Sequence, residues 1–210
     1  MIPIESLSTF VIVSVLLAIA PGPDNIFVLT QSSVNGHKAG LFVTLGLCTG
    51  LIVHTTAVAL GISALFQASF AAFTVLKIVG AIYLLYLAWQ AFHASAEEIQ
   101  NNQFTELSAM KFYRRGIIMN VTNPKVSIFF LAFLPQFADP SSGSITQQVF
   151  TLGAVFILVT MVVFGGIAML AGYVGIWLKT SPGAQIILNR IAGTVYVVLA
   201  LNLVTAEINL

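Results

Sequence analysis

One cysteine, Cys48, stands in the whole 210-residue chain. An intramolecular disulfide and a CxxC redox pair are therefore excluded, and a lone thiol in apolar surroundings reads as a small hydrophobic residue. Charge is nearly as scarce: Asp, Glu, Lys and Arg together make 7% of the residues, where a soluble domain carries about 25%. Too few polar groups remain to dress a water-facing exterior. The net charge of +1 contains no basic run, so nothing points to nucleic acid. His37, His54 and His93 are scattered, with no HExxH or acidic cluster beside them, so neither a metal nor another cofactor is implied. No nucleophile–base pair is legible either, which leaves an enzyme reading without chemistry.

What the chain does have is hydrophobic length, at 58% of its residues. About 20 apolar residues of helix cross a bilayer, and six stretches qualify: 6–33 (interrupted at 21–24), 39–65, 70–93, 112–137 (interrupted at 123–124), 146–175 and 184–206. The chain reads as an all-α integral membrane protein with six transmembrane helices. Residues 10–20, "FVIVSVLLAIA", have the look of a signal-peptide core, yet no Lys or Arg precedes them and Pro21 sits at the would-be cleavage point. They are read as part of the first span. Lys and Arg fall in the connections after spans one, three and five: Lys38, then Lys111, Arg114 and Arg115, then Lys179. Positive charge marks the cytoplasmic side, so both termini are expected outside the cytoplasm.

The two halves resemble one another. Span three contains "KIVGAIY" (77–83) and span six "RIAGTVY" (190–196); spans two and five each carry "TLG", at 44–46 and 151–153. Pro23–Asp24 in span one matches Pro124–Lys125 in span four. A repeat of three spans must enter the membrane from opposite sides, which is the inverted duplication of many secondary transporters. The expected organisation is a first three-helix repeat over 1–93, a cytoplasmic linker over 94–111 and a second repeat over 112–210, with helices 1 and 4 discontinuous.

The interruptions carry the chemistry. Pro21, Gly22 and Pro23 in "PGPD", and Pro124 in "TNPK", break helices where lipid offers freed backbone groups no water. Such breaks are tolerated where they line a cavity. Asp24 or Asn25 could cap the restart of span one, and Asn123 that of span four. Each restart brings the positive end of a helix dipole to the middle of the membrane, where it suits a carboxylate. A charge at mid-helix costs about 2.5–3.5 kcal/mol on insertion scales, so Asp24 and Lys125 should face inward. Two readings stand side by side: a structural ion pair joining spans one and four, or a site for a zwitterion. In the second, Asp24 meets an ammonium or carries a coupling proton, while Lys125 and the helix ends hold a carboxylate. Gly22, Asp24, Asn25, Asn123 and Lys125 are the candidate substrate-binding residues.

Other polar residues divide between packing and function. His54 is a hydrogen-bonded packing residue or a proton carrier. Lys77 and Arg190 either snorkel to the interface or make gating contacts. Gly46 and Gly50 form a GxxxG that lets helices approach closely. Tyr86 and Trp89 fall near the inner boundary, where aromatic belts form.

"APGPDNIFVLTQSSVNGHKAG", "KIVGAIYLLYLAW" and "NPK" resemble the lysine-exporter (LysE) superfamily, and within it the homoserine/threonine-efflux (RhtB) branch, over essentially the whole chain. The basic turn departs slightly, with His37 where relatives often have a second basic residue. The resemblance implies an inner-membrane exporter of amino acids or their derivatives, driven by the proton motive force and acting as an oligomer such as a homodimer. Pro21 to Asp24 would form its first discontinuity and Asn123 to Lys125 its second. The expected function is export of small neutral amino acids like threonine and homoserine by proton antiport with alternating access. Basic or branched-chain substrates, a passive channel, and a membrane redox carrier are the alternatives; the last lacks its second cysteine.

Overall fold

The first helix ends where its prolines require. The computed structural model describes residues 2–68, 70–95 and 108–205. Helix α1 (Ile4–Ile19) stops before Pro21, and α2 (Pro23–Asn35) restarts at Pro23, the two axes bent by 58°. Pro23 takes the first helical position, where its missing N–H would have no partner in any case. Gly22 precedes it with no side-chain cap, so neither Asp24 nor Asn25 caps this restart. Both lie inside the first turn instead, because the second proline moves the helix start two residues earlier than a cap at Asp24 would allow.

Gly36, with φ 84°, turns α2 into α3 (His37–Ala68), in a backbone region that side chains disfavour. Helix α4 (Phe70–His93) follows. Residues 96–107 of the expected linker lie outside the described residues, and α5 (Ala109–Thr122) opens the second half of the chain, taking up Lys111, Arg114 and Arg115. The second break then repeats the logic of the first. Asn123 is extended, its side chain accepts a hydrogen bond from the Lys125 backbone N–H, and Pro124 opens α6 (Pro124–Ile128). The chain continues through a π-helical turn (Phe129–Phe133) and a 3-10 turn (Leu134–Phe137), with a bend of 52° at the break. A short loop follows in which Ser141 and Ser142 donate to Asp139, holding its carboxyl below the usual carboxylate range. Helices α7 (Ile145–Thr180) and α8 (Pro182–Thr205) complete the described chain.

Among the described residues, four helices are long and apolar enough to cross a membrane, and the two bent pairs raise that to six if each is one span. Lipid tails are as apolar as leucine, so association inside a bilayer depends on close packing and hydrogen bonds more than on the hydrophobic effect. Helix α3 meets α5 at glycine: a Cβ on Gly46 would lie 2.1 Å from the Tyr113 carbonyl oxygen, and one on Gly116 would lie 2.3 Å from that of Val43. The GxxxG therefore works within the fold, with Gly50 against Asn120. Helix α7 runs antiparallel to α3, placing Gly153 against Thr55 and Ala168 near Gly40. Helices α4 and α8 pair antiparallel, with Phe92 against Gly193 and Leu203 against Gly80.

Phe10 of α1, Phe129 and Phe133 of the π turn and Phe156 of α7 pack as a buried aromatic cluster. Ring pairs such as Phe10–Phe137, at 5.1 Å between centroids, add about 0.5–1.5 kcal/mol each beyond plain burial. This cluster joins α1, the π-helical turn and α7. The contacts also bring the start of α3 (Lys38), the start of α5 and the end of α7 to a common end. Tyr86 and Trp89 are exposed near the end of α4.

Candidate functional site

The two helix breaks face each other across one cavity of about 30 Å³, roughly the share of a single water in the liquid. Gly22, Asp24, Asn25, Asn123 and Lys125 all line it, together with Asn120, Thr160 and an apolar rim that includes Leu51 and Phe156. Leu51 and Thr160 lie near the middle of their long helices, so the cavity is at mid-depth.

Asp24 is 5% exposed and Lys125 8%, yet among the described residues the two form no direct ion pair. The Asp24 carboxylate accepts from Asn123 Nδ2 at 3.0 Å and from Asn120 Nδ2 at 3.5 Å. The Lys125 ammonium donates to the backbone carbonyls of Leu17 at 3.1 Å and Ala20 at 3.0 Å, and lies 5.6 Å from the centroid of the Tyr196 ring. Of the two readings of these charges, the direct ion pair is not formed; each charge has its own set of partners. The reason is helix polarity. A helix carries partial negative charge at its C-terminus and partial positive charge at its N-terminus. Lys125 sits on the orphaned carbonyls that end α1, and Asp24 sits in the first turn of α2. Each charge takes the helix end of opposite sign.

Those carbonyls would otherwise be stranded, because Pro21 offers no N–H and lipid offers no water. Gly22 leaves the room: a Cβ there would sit 3.3 Å from Lys125 Nζ. Asn25 turns its amide back to the Ala18 carbonyl, tying α2 to the end of α1. Asn123 holds both helices, accepting from the Lys125 backbone while donating to Asp24.

His54 does not line the cavity but stands behind it, with Nε2 at 3.2 Å from the Asn120 carbonyl oxygen. A carbonyl can only accept, so Nε2 carries the proton. Phe130 packs near its ring, at 5.7 Å between centroids. Lys77 is buried in α4, whereas Arg190 is exposed on α8, and neither borders the cavity. The matched positions of the two halves thus differ in surroundings here.

Asn120 and Thr160 escaped the sequence reading. An asparagine one turn before Asn123, in the apolar run "GIIMNVTN", was the available signal for the first. Thr160, within "FILVTMVV", offered none, since threonine is common in membrane helices. Both residues carry a buried oxygen without a hydrogen-bond partner, Asn120 Oδ1 and Thr160 Oγ. Buried polar groups are nearly always paired; among the described residues Ser32 Oγ and Gln136 Oε1, away from the cavity, share this state.

The family model described as "LysE type translocator" matches residues 15–207. Among curated proteins, the chain is 33% identical over 198 residues to a homoserine/homoserine lactone efflux protein of Salmonella typhimurium, covering 94% of this chain and 95% of that one. It is 30% identical over 198 residues to an uncharacterized membrane protein of Vibrio cholerae, covering 94% of this chain and 96% of the relative. A second uncharacterized membrane protein, of Bacillus subtilis, is also 30% identical, over 202 residues and 92% of this chain. No solved structure matches.

Proposed function

The chain belongs to the LysE type translocator family, and from that membership we propose that it exports small neutral amino acids, homoserine and threonine among them, across the bacterial inner membrane. One observation carries the residue-level reading: an acid and an ammonium, both buried, are held apart on opposite helix ends around one polar cavity. A free amino acid is a zwitterion and needs both signs. Asp24 would meet its ammonium, and Lys125, drawn away from the α1 carbonyls, its carboxylate.

A cavity of about 30 Å³ is too small for any amino acid, so transport requires the broken helices to move. In this reading the two halves are inverted repeats that rock about the cavity, opening it to one side and then the other. Support comes from the pairing of equivalent helices: α3 packs on α7 and α4 on α8. The matched glycines of "KIVGAIY" and "RIAGTVY" both lie at the α4–α8 contact, Gly80 against Leu203 and Gly193 against Phe92. Asp24 is the proposed proton carrier. It is the buried acid of the site, and its hydrogen-bond donors are neutral amides rather than the lysine.

Orientation follows from the same reading. Lys38, the basic start of α5 and the end of α7 share one end of the molecule, which positive charge assigns to the cytoplasm, leaving both termini outside.

The test is efflux of labelled threonine and homoserine from preloaded cells carrying wild type or Asp24→Asn, at matched membrane levels, with and without a protonophore. The expected result is export by wild type, its loss with the protonophore, and its loss in Asp24→Asn. Normal export by the variant would remove Asp24 from the mechanism. Export insensitive to the protonophore would favour a passive channel.

A further inference from the structure

A proline deprives the carbonyl four residues before it of its helical partner. Pro21 does this to Leu17, and Pro124 to Asn120. The Leu17 carbonyl accepts instead from Lys125 Nζ at 3.1 Å, so a side chain from the second half of the chain closes the break in the first. The second break is closed in the reverse sense. His54 of α3, in the first half, donates from Nε2 to the Asn120 carbonyl at 3.2 Å. The same oxygen accepts from the Asn123 N–H at 3.0 Å, which fills its other lone pair.

The face His54 shares explains how it reaches that carbonyl. Gly46, Gly50 and His54 recur every four residues along α3, and so lie on one side of the helix. The two glycines let α5 come close, Gly46 against Tyr113 and Gly116, and Gly50 against the Asn120 side chain. His54 is the next position on that face, where α5 runs out at Thr122. Phe130, fully buried, packs against the imidazole with its centroid at 5.7 Å.

What this bond fixes is the end of α5. Asn120 and Asn123 are the residues whose amides hold Asp24, at 3.5 and 3.0 Å. The carbonyl held by His54 belongs to the first and is bonded to the backbone N–H of the second. We propose that His54 is a positioning residue of the site: by closing the carbonyl that Pro124 leaves open, it sets the pose of the two amides that hold Asp24 ready for a substrate ammonium. It acts from outside the cavity and without touching substrate. The proposal rests on the amino-acid exporter reading above and adds a residue to it.

The purified full chain would be compared as wild type, His54→Leu, His54→Gln, Pro124→Ala and the double variant His54→Leu/Pro124→Ala. Leucine removes the donor, whereas glutamine keeps an N–H at similar reach but cannot relay a proton as imidazole does. In reversible unfolding in mixed micelles, without substrate, His54→Leu should raise the unfolding constant about threefold or more. That penalty should vanish in the Pro124→Ala background, where the alanine N–H takes the Asn120 carbonyl. In counterflow of labelled homoserine in proteoliposomes, His54→Leu should raise KM about tenfold, the worth of roughly one hydrogen bond, with Vmax changed less. His54→Gln should restore the wild-type KM. An equal unfolding penalty in both backgrounds would overturn the cap. A loss confined to Vmax, or none at all, would overturn the positioning role and leave His54 a support of the fold. A stable His54→Gln as deficient in transport as His54→Leu would overturn it too, since the imidazole would then be needed to carry a proton. Each of these results leaves the exporter reading standing. If wild type moves neither homoserine nor any amino acid of a wider panel, the exporter reading falls and the positioning role with it.

Discussion

Replacing Lys125 by methionine would ask what its ammonium does for the fold. Methionine is similar in length and flexibility but donates no hydrogen bond, so the change removes the charge with little change in volume. Two bonds are lost, to Leu17 at 3.1 Å and to Ala20 at 3.0 Å. A hydrogen bond between membrane helices contributes about 0.6 kcal/mol on average and up to about 1.7, and a charged donor roughly doubles that. The pair is therefore worth about 2–4 kcal/mol. Against this stands relief from burying a charge, which is smaller here than for an isolated ion because the helix end and Tyr196 already stabilise it. A net loss of about 1–3 kcal/mol is expected, within the range of other buried polar deletions. Reversible unfolding of the purified protein in mixed micelles would measure it. Equal or greater stability of Lys125→Met would refute the claim that the ammonium secures the end of α1. It would also return Lys125 to a role in substrate binding alone.

Two further perturbations test the packing and the orientation. Gly46→Ala should destabilise by about 1–3 kcal/mol through overpacking, because its Cβ would lie 2.1 Å from the Tyr113 carbonyl oxygen. Gly61→Ala, with nothing within 4 Å of the added atom, should instead stabilise by about 0.5–1 kcal/mol; equal effects in the same unfolding assay would contradict the α3–α5 contact. In a Cys48→Ser background, Lys38→Cys should react with a membrane-impermeant maleimide only from the cytoplasmic side and Ser141→Cys only from outside. Reversed labelling would invert the proposed topology.

The two helix breaks and the polar residues at them were legible in the sequence, but the contacts those residues make were not. "PGPD" and "TNPK" announced breaks at mid-membrane because proline disrupts a helix whatever surrounds it. The structure puts both beside one cavity. Asn123 could likewise be read as a cap, since that bond is made two residues along the chain. For Asp24 and Lys125 the sequence left two readings open, an ion pair between the breaks or a site for a zwitterion, because opposite charges at two facing breaks suit either. Their actual partners, carbonyls of α1 and amides of α5, depend on the angle at which the two broken helices meet, and no local pattern encodes that angle.

The sequence by itself determined that this is a helical membrane protein, where its helices break, and which family it belongs to. Each follows from composition or from motifs a few residues long. Only the tertiary structure decided that Lys125 ends α1, that His54 stands behind the cavity rather than in it, and that Thr160 and Asn120 border it with unpartnered oxygens. Those facts depend on contacts between helices distant in the chain. In a bilayer such contacts are selected by close approach at glycines and by the demand that every buried polar group find a partner.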